Sequence, residues 1–405
     1  MMVLTALSAL IWAWLLTLRG GFWRAGPVLP PAAPGALPVP APAMTVVVPA
    51  RDEAPLIGRA LRSLLAQDYP GPLRIILVDD RSADGTGAIA HAIADPRLTV
   101  LTGAPRPQGW AGKLWAVQQG VTAADALGQN PPAMGTSPSG TSPSGTSPSG
   151  TSSPGTPDYF FLTDADIEHD PRHLSSLMAM AERHDLDMVS EMVALSCDSL
   201  AEKALIPAFV YFFQLLYPFA WVNNPLCATA AAAGGTMLLR RRALTRIGGT
   251  AAVRGALIDD VALAGAVKTG GRIFLGHSAL ARSVRPYPDW VSIWRMIARS
   301  AYAQLRFSPL LLAAATLGMA LVWLVPPAAA LFGHGTARVL GPLVWAASAA
   351  TFVPTLRRFH RSWLWAAFLP LIALFYMAAT IGSAVHYHRG LGVVWKGRAY
   401  AGGTP

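Results

Sequence analysis

The chain has 405 residues, of which 53% are hydrophobic and 13% are charged, and its mean hydropathy is +0.39. Because a soluble domain carries about 25% charged residues, this composition excludes a wholly soluble protein and indicates that part of the chain lies in lipid. The net charge of +10 fits Lys and Arg retained on the cytoplasmic side of a membrane, or attraction to anionic lipid heads. We expect no nucleic-acid partner, since the sequence has no basic stripe interleaved with aromatic residues.

The amino-terminal segment is long and apolar enough to cross a bilayer. Met1–Leu18 carries no charged side chain and is followed by Arg19 and Arg24. A cleaved signal peptide is the alternative, but no Lys or Arg precedes the apolar run. The basic residues after the run place the next segment in the cytoplasm. We predict a transmembrane anchor over residues 1–24 and a stiff, extended Ala/Pro/Gly linker over residues 25–43.

Strand and helix patterns alternate after the linker. Short β-branched strands are predicted at Thr45–Val48, Arg74–Val78 and near Leu98–Leu101. This alternation predicts an α/β domain with a Rossmann-like, mostly parallel sheet, and such sheets bind ligands beyond the carboxyl ends of their strands. Glu53, Asp80 and Asp166 each follow a predicted strand end, so we expect them at one edge. The alternative is that each caps a helix or shapes a turn.

A glycine-rich turn and a low-complexity repeat come next. Gly109 to Lys113, GWAGK, opens a helix whose backbone amides could approach a phosphate, with Lys113 adding positive charge. Ordinary loop chemistry explains this turn equally well. The tandem Gly-Thr-Ser-Pro-Ser repeat of residues 135–156 cannot bury a core, and we predict a disordered surface insert without chemistry.

Two carboxylates one residue apart follow the apolar strand Tyr159–Leu162. Asp164 and Asp166 can present oxygens to one point, because side chains at i and i+2 of an extended backbone point the same way. Two such carboxylates repel each other unless a cation lies between them. Oxygen ligands suit Mg²⁺ or Mn²⁺, which usually hold a phosphate as well. A solvated acidic turn is the alternative to this metal site.

Three histidines nearby, His169, His173 and His184, do not have the spacing of a zinc site, and we predict that they lie on the surface. Further along, Gly234 and Gly235 precede a strand and leave room for a substrate. Asp259 and Asp260 begin a predicted helix, where a general base and a favourable interaction with the helix dipole are both consistent with the pattern.

Several later segments are predicted to meet the membrane. Leu205–Trp221 is rich in aromatic residues and is predicted as an in-plane membrane helix or, alternatively, a core helix, and Trp290–Phe307 as a basic amphipathic helix. Three candidate spans follow at Pro309–Phe332, Leu340–Leu356 and Trp363–Val385. The resulting organisation is an α/β domain at residues 44–307, transmembrane helices at residues 308–388 and a basic tail at residues 389–405.

Seven motifs occur in an order that resembles the family 2 glycosyltransferases of the GT-A fold. They are VVVPARDE, VDDRS, GWAGK, LTDAD, AAGGTMLLRR, ALIDDVALA and WRMIARS, and together they cover roughly Met44–Arg306. The membrane-flanked layout and the wording of several motifs look most like the hopene-associated glycosyltransferases of hopanoid biosynthesis. The chain resembles the ceramide glucosyltransferases more distantly.

The resemblance implies a role for each matching residue. The nucleotide-sugar pocket would be formed by Pro49, Ala50, Arg51, Glu53, Asp79, Asp80, Lys113, Asp164 and Arg299. Asp164 and Asp166 would hold Mg²⁺ or Mn²⁺ on the diphosphate, and Asp260 would be the catalytic base. Gly234, Gly235 and Asp259 would lie on the acceptor side, with Asp259 standing where the family has Glu.

The family's Gln-x-x-Arg-Trp motif is poorly kept. Arg299 fits its Arg, but Met296 and Ser300 stand where Gln and Trp are expected. This departure argues against a processive polysaccharide synthase and puts the role of Arg299 in doubt.

The prediction is a multi-pass glycosyltransferase of the bacterial inner membrane with its catalytic domain facing the cytoplasm. It would move a sugar, with inversion, from a nucleotide-diphosphate sugar such as a UDP-sugar to a lipid acceptor, a hopanoid. Polyprenyl phosphate and diacylglycerol are alternative acceptors. A non-catalytic membrane scaffold is the alternative from another class, and a transporter is disfavoured because no intramembrane ionisable residue marks a pathway.

Overall fold

A computed structural model of the chain describes residues 1–129 and 155–390, together with two short strands at residues 393–395 and 398–400. The predicted disordered insert therefore lies outside the described residues, apart from residues 155 and 156. Most of the predicted basic tail also lies outside them.

The strands and helices alternate through the first three hundred residues, as predicted. The strands are β1 Met44–Ala50, β2 Leu73–Asp79, β3 Leu98–Thr102, β4 Tyr159–Thr163, β5 Ile167–His169, β6 Met188–Ala194, β7 Thr236–Arg240, β8 Ile273–Ser283, β9 Val393–Trp395 and β10 Arg398–Tyr400. The helices up to the end of this part are α1 Met2–Leu18, α2 Ala54–Leu65, α3 Thr86–His91, α4 Gly112–Gln129, α5 His173–Arg183, α6 Leu200–Leu216, α7 Phe219–Val222, α8 Arg241–Arg246, α9 Asp259–Lys268 and α10 Trp290–Gln304.

One eight-stranded sheet organises the α/β domain, in the order β3-β2-β1-β4-β7-β6-β8-β5. The strands from β3 to β4 run parallel, and β6 is parallel to β8. β7 is antiparallel to both of its neighbours, and β5 is antiparallel to β8 at the edge. The predicted Rossmann-like α/β fold is confirmed, with β5 and β7 as the antiparallel exceptions.

Helices cover both faces of this sheet, which explains why its central strands are apolar on both sides. Val46, Val47 and Val48 in β1 are fully buried. Val47 packs on the face covered by α4 and α9, and its neighbours Val46 and Val48 pack on the face covered by α2 and α5. Because β1 runs parallel to β2 and β4, the loops that follow these three strands lie at the same edge of the sheet.

The segment predicted as a linker does not stand free of the domain. The Leu29 amide donates to the His277 carbonyl over 3.0 Å, and the His277 amide donates to the Pro27 carbonyl over 2.8 Å. Leu29 is 1% exposed and lies in the core beside β1. The segment therefore pairs with β8 while it connects α1 to β1.

Three helical segments after the domain are long and apolar enough to cross a membrane: Pro309–Phe332, Thr336–Arg358 and Trp363–His388. The first contains α11 Pro309–Met319, a π-helical turn and α12 Val325–Phe332. The second is α13, Thr336–Arg358, and is longer at both ends than predicted. The third contains α14, Leu369–His388. The amino-terminal helix α1 is apolar but shorter, at 17 residues.

Helix α6, predicted as either an in-plane or a core helix, is buried among the apolar helices. Its residues Leu205 and Tyr211 share a cluster with Trp12 of α1, Phe352 of α13 and Tyr376 of α14. The Tyr376 hydroxyl donates to the Leu205 carbonyl over 2.8 Å. The core-helix alternative is therefore correct, and α6 joins the α/β domain to the apolar helices.

We predict that Tyr211→Phe lowers the free energy of unfolding by about 1 kcal/mol, because it removes one buried hydrogen bond and keeps the ring. The Tyr211 hydroxyl lies 2.6 Å from Thr351 Oγ1, and both side chains are buried. Thermal unfolding in detergent measures the effect. In a Thr351→Val background the same change should have little further effect; two fully additive losses would show that this pair does not interact.

Candidate active site

The loops after β1, β2 and β4 meet at one edge of the sheet, as predicted for Glu53, Asp80 and Asp166. The Asp80 amide donates to the Ala50 carbonyl over 2.8 Å, which fixes the end of β2 beside the end of β1. The loop after β4 is held there through Arg285, which bonds both Glu53 and Asp166. The sheet thus gathers acidic residues that are far apart in sequence.

Arg51 and Asp80 form one side of this edge. Arg51 Nη1 donates to the Asp80 carbonyl over 2.8 Å and lies 3.6 Å from its carboxylate. Asp80 is 1% exposed. Pro49 and Ala50, the last residues of β1, are buried directly before Arg51. These four residues lie together, and their assignment to a nucleotide pocket stays a prediction.

Asp79 has a different environment from its neighbour Asp80. Its Oδ1 accepts a hydrogen bond from the Ser82 amide over 2.9 Å and another from the Ser82 hydroxyl. A Cβ on Gly87 would lie 2.5 Å from Asp79 Oδ2, so this carboxylate packs against the start of α3. The structure therefore uses Asp79 to shape the loop after β2.

Arg285 is the residue that the sequence analysis missed. Its Nη2 lies 2.5 Å from Glu53 Oε1, and its Nε lies 2.6 Å from Asp166 Oδ2. β5 pairs with β8 so that Ile167 faces Ser283, and the Val284 amide donates to the Asp166 carbonyl over 2.8 Å. This register brings Arg285 to Asp166. No family motif marked this arginine. Its position just past the end of β8 was the available signal.

Lys113 stands at the second junction between acidic residues. Its Nζ lies 2.6 Å from Asp164 Oδ1, 3.9 Å from Asp259 Oδ2 and 3.4 Å from the Gly234 carbonyl. Burial lowers the pKa of Lys113, but the charges of Asp164 and Asp259 outweigh that effect, and the net pKa lies above its ordinary value. Lys113 is therefore charged, and it ties the turn after β4 to the start of α9.

Asp260 lies in the first turn of α9 and is oriented by backbone amides. Its Oδ2 accepts a hydrogen bond from the Gly234 amide over 2.8 Å, and its Oδ1 accepts one from the Val261 amide over 2.8 Å. Burial raises the pKa of Asp260 to about 6, the charge of Asp259 raises it as well, and Lys113 opposes both. A carboxyl group with this pKa can exchange a proton near neutral pH.

The Gly234-Gly235 turn is fixed from several sides. The Thr163 hydroxyl donates to the Gly235 carbonyl over 2.8 Å, and the Ala233 amide donates to Ser190 Oγ over 2.8 Å. A Cβ on Gly234 would lie 3.1 Å from Lys113 Nζ and 3.2 Å from an Asp260 oxygen. A side chain at Gly234 would therefore press on both groups, which explains why glycine suits this turn.

Arg299 lies on an exposed face of α10. Burial raises the pKa of Tyr287. The positive charges of Arg285 and Arg299 oppose this rise, and the negative charges of Asp166 and Asp164 add to it. Arg299 is thus on the same side of the molecule as the acidic edge.

Asp164 and Asp166 form a donor set that suits a divalent cation. Burial raises the pKa of Asp166, and the charge of Asp164 raises it further, a repulsion that a shared cation would relieve. Their ion pairs with Lys113 and Arg285 use one oxygen of each carboxylate. Within the described parts of the chain, no three His, Cys, Asp or Glu side chains form a complete metal-binding group. Phosphate oxygens and water would supply the other ligands, as is usual for Mg²⁺.

The prediction of surface histidines is wrong for His169 and His173. They are 3% and 0% exposed, because β5 and α5 pack them beneath the turn after β4. His184, at the end of α5, is exposed as predicted. The sequence pattern could not distinguish these cases, since each histidine follows a charged or polar residue.

We predict that Arg285→Gln destabilises the protein by about 3 kcal/mol at pH 7, because it leaves Glu53 and Asp166 as uncompensated, largely buried carboxylates. The deficit should shrink as the pH falls, because protonation of Asp166, whose pKa is already raised, removes the repelling charge. Thermal unfolding across pH measures both effects.

The matched control is Arg282→Gln. Arg282 pairs with Glu168 on an exposed surface, and its loss should change the free energy of unfolding by less than about 1 kcal/mol. Equal losses for the two variants would contradict a structural role for the Arg285 bridge.

Comparison with known proteins places the chain in a family. The family described as Glycosyl transferase family 21 matches residues 155–402, and the family described as Glycosyl transferase family 2 matches residues 45–126. The second match confirms the predicted resemblance to family 2.

Solved and curated proteins show the same likeness. The mannosyltransferase PcManGT from Pyrobaculum calidifontis, solved in complex with GDP-Man and Mn²⁺, matches with a TM-score of 0.53 and 20% identity. That match covers 95% of this chain and 97% of the other, and at this identity it shows the fold alone.

The 4,4'-diaponeurosporenoate glycosyltransferases of Staphylococcus aureus strains MRSA252 and USA300 are 35% identical over 82 residues and 36% identical over 83 residues. Each match covers 20% of this chain and 21% of the relative, so the chain spans about a fifth of the length of these curated relatives. Because the family 21 match covers more than half of the chain, the protein belongs to glycosyl transferase family 21, and its fold is the GT-A fold.

Proposed function

We propose that the protein is a membrane-anchored inverting glycosyltransferase that moves a sugar from a nucleotide-diphosphate sugar to a lipid acceptor, a hopanoid. The observation that carries this proposal is the meeting of Asp260, the Gly234 turn, Lys113 and Asp164 at one sheet edge. That arrangement supplies a proton acceptor and a positively charged site for a diphosphate within a few ångströms of each other.

The donor would lie across the loops after β1, β2 and β4. Arg51 and Asp80 would hold the base and ribose end, because they form a rigid, largely buried pair beside Pro49 and Ala50. Lys113 and Arg285 would face the diphosphate with two positive charges. Arg299, exposed on the neighbouring helix, could add a third. PcManGT, whose fold this chain shares, was solved with GDP-Man, and this supports a nucleotide-sugar donor.

A divalent cation, Mg²⁺ or Mn²⁺, would be held by Asp164 and Asp166 and would neutralise negative charge that develops on the departing diphosphate. Lys113 already pairs with Asp164, and Arg285 already pairs with Asp166. They keep the turn after β4 in place and add positive charge where the leaving group accumulates negative charge.

Asp260 would act as the base. The Gly234 amide orients its carboxylate, and its pKa of about 6 lets it accept a proton from an acceptor hydroxyl near neutral pH. As that proton leaves, the acceptor oxygen attacks the anomeric carbon and the bond from that carbon to the diphosphate oxygen breaks. A direct displacement of this kind inverts the anomeric centre and needs no enzyme nucleophile.

The acceptor is proposed to reach the site from a bilayer, with the catalytic domain on the cytoplasmic side of the bacterial inner membrane. Three apolar helices support the membrane location. The basic residues at the end of α13 and directly after it support the orientation, since the charge of Arg358 interacts with that of Glu191 in β6 and the charge of Arg361 acts on Cys197. The curated relatives are named for 4,4'-diaponeurosporenoate, which agrees with a lipid-like acceptor.

The acceptor is tested by incubating the purified full chain in detergent with UDP-glucose, UDP-N-acetylglucosamine or GDP-mannose, and Mn²⁺. A hydroxylated hopanoid, a polyprenyl phosphate and a diacylglycerol are supplied in parallel. Glycosylated hopanoid with an inverted anomeric centre is the expected product. Transfer to one of the other two lipids would overturn the hopanoid assignment, and a retained anomeric configuration would overturn direct displacement.

We predict that Asp260→Asn lowers the transfer rate by about 100-fold or more while nucleotide binding is retained, because the amide cannot accept the proton. In the unaltered protein the rate should fall with decreasing pH below about 6, where Asp260 becomes protonated. Rates measured from pH 5 to 8 show this limb. A rate that is independent of pH over this range, or that survives the substitution, would remove Asp260 as the base.

We predict that Gly234→Ala lowers the transfer rate by about tenfold or more, because its Cβ must displace Lys113 or Asp260. The matched control is Gly235→Ala, whose Cβ would meet Val193 and Ile167 at 3.4 Å and 3.5 Å, an ordinary contact. Kinetics of the two variants at equal folded concentration distinguish the positions. Equal losses would show that general crowding of the turn, rather than pressure on Lys113 and Asp260, sets the rate.

A further inference from the structure

A chain of buried polar side chains runs beneath the acidic edge. Glu191 Oε2 lies 2.6 Å from His173 Nε2, and His173 Nδ1 lies 2.9 Å from His169 Nδ1. His169 Nε2 lies 3.2 Å from Thr163 Oγ1, whose hydroxyl donates to the Gly235 carbonyl over 2.8 Å. All four side chains are at most 3% exposed. The mechanism proposed above uses none of them.

The Gly235 carbonyl, at one end of this hydrogen-bond chain, determines the direction of every hydrogen bond in it. The Gly235 carbonyl can accept but cannot donate, so the single hydroxyl proton of Thr163 is directed to it. His169 Nε2 must then be the donor to Thr163 Oγ1. Burial and the neighbouring His173 lower the pKa of His169 well below its ordinary value, so His169 is neutral and its Nδ1 is an acceptor.

The remaining two bonds are then determined as well. Because His169 Nδ1 accepts, His173 Nδ1 must carry a proton and donate it. One further proton is shared between His173 Nε2 and Glu191 Oε2, and either location leaves the direction of the chain unchanged. Two charged groups from other parts of the fold interact electrostatically with the Glu191–His173 end of this hydrogen-bond chain. Arg358 interacts with Glu191, and Asp170 interacts with His173.

We propose that Glu191, His173, His169 and Thr163 form a one-directional buried hydrogen-bond chain that positions the Asp164 turn against the Gly234-Gly235 turn. Thr163 directly precedes Asp164, and Gly235 directly follows the residue whose amide binds Asp260. The chain therefore fixes the distance between the two carboxylates on either side of Lys113. These are positioning residues, and their effect on sugar transfer rests on the proposed function.

The contacts around this hydrogen-bond chain fix the strands but not the orientation of the two turns relative to each other. The backbone of β6 is tied to the other flank of the glycine turn, because Thr236 Oγ1 donates to the Glu191 carbonyl over 2.9 Å. β4 and β7 are paired through Thr163 and Thr236, so the strands themselves are fixed. What the strand pairing leaves undetermined is the orientation of the turns beyond those residues, and the Thr163 hydroxyl acts there.

The first test compares Thr163→Val with Thr163→Ser in the full chain in detergent. Valine keeps the shape but removes the hydroxyl, whereas serine restores it. The control is Thr45→Val. Thr45 is a buried threonine of β1 that takes no part in the hydrogen-bond chain from Glu191 to Thr163. Hydrogen exchange of peptides covering residues 163–167 and 233–236 should be about tenfold faster in Thr163→Val, and unchanged in the other two variants. Equal exchange in the two valine variants, or no recovery with serine, would overturn the proposal.

The second test needs no substitution at the turn. Nitrogen-15 NMR of histidine-labelled protein should show His169 as the neutral tautomer with hydrogen on Nε2. Glu191→Gln should keep that tautomer, because its amide can donate to His173 Nε2 and preserve the direction of the chain. Hydrogen on Nδ1 of His169, or a charged His169, would overturn the assignment.

A kinetic measurement connects the chain to catalysis. Transfer by Thr163→Val should fall about tenfold and recover in Thr163→Ser, as expected for a misplaced turn. Unchanged transfer by Thr163→Val, with faster exchange of the turns, would overturn the positioning role. Exchange and NMR do not depend on turnover, so a wild-type protein that transfers no sugar would count against the proposed function and leave the test of the chain intact.

Discussion

Electrostatic repulsion among carboxylates at one sheet edge is the constraint on which this site depends. The β1, β2 and β4 loops and the start of α9 bring together Glu53, Asp80, Asp164, Asp166, Asp259 and Asp260. Such a group is unfavourable unless cations separate its members. Arg51, Lys113 and Arg285 do so, and the last two each join carboxylates from different elements. The cations therefore fix the loops relative to one another, and in the proposed function they would also provide positive charge for a diphosphate.

The same arrangement gives neighbouring carboxylates different properties. Burial and the charge of Asp259 raise the pKa of Asp260 to about 6, although Lys113 and the hydrogen bonds from the Val261 and Gly234 amides oppose that rise. Asp164 lies beside Lys113 and is about a third exposed. In the proposed function one carboxylate accepts a proton and another helps to hold a divalent cation, and the different surroundings of Asp260 and Asp164 suit these two roles. Helix α6 follows β6 and packs against the apolar helices, so it connects the sheet that carries this site to them.

Sequence patterns were sufficient for the parts of this site that are local. The alternation of strands and helices, the Asp164–Asp166 pair and the acidic start of α9 were each predicted, because they depend on spacing along the chain. Arg285 was missed, since its position depends on how β8 pairs with β5. The buried histidines were wrongly expected on the surface for a related reason: burial depends on which layers pack together. Asp79 and Asp80 are adjacent in sequence, and a loop conformation that no pattern encodes gives them different surroundings.

The central claim is that this acidic edge binds a nucleotide diphosphate together with a divalent cation. Calorimetry on the purified full chain, with UDP and GDP titrated in the presence and absence of Mn²⁺, tests it most directly. The account predicts saturable binding of at least one nucleotide that weakens by about tenfold or more when Mn²⁺ is removed. Nucleotide binding of equal strength with and without Mn²⁺ would contradict the role assigned to Asp164 and Asp166. No binding of either nucleotide under any condition would contradict the donor site as a whole.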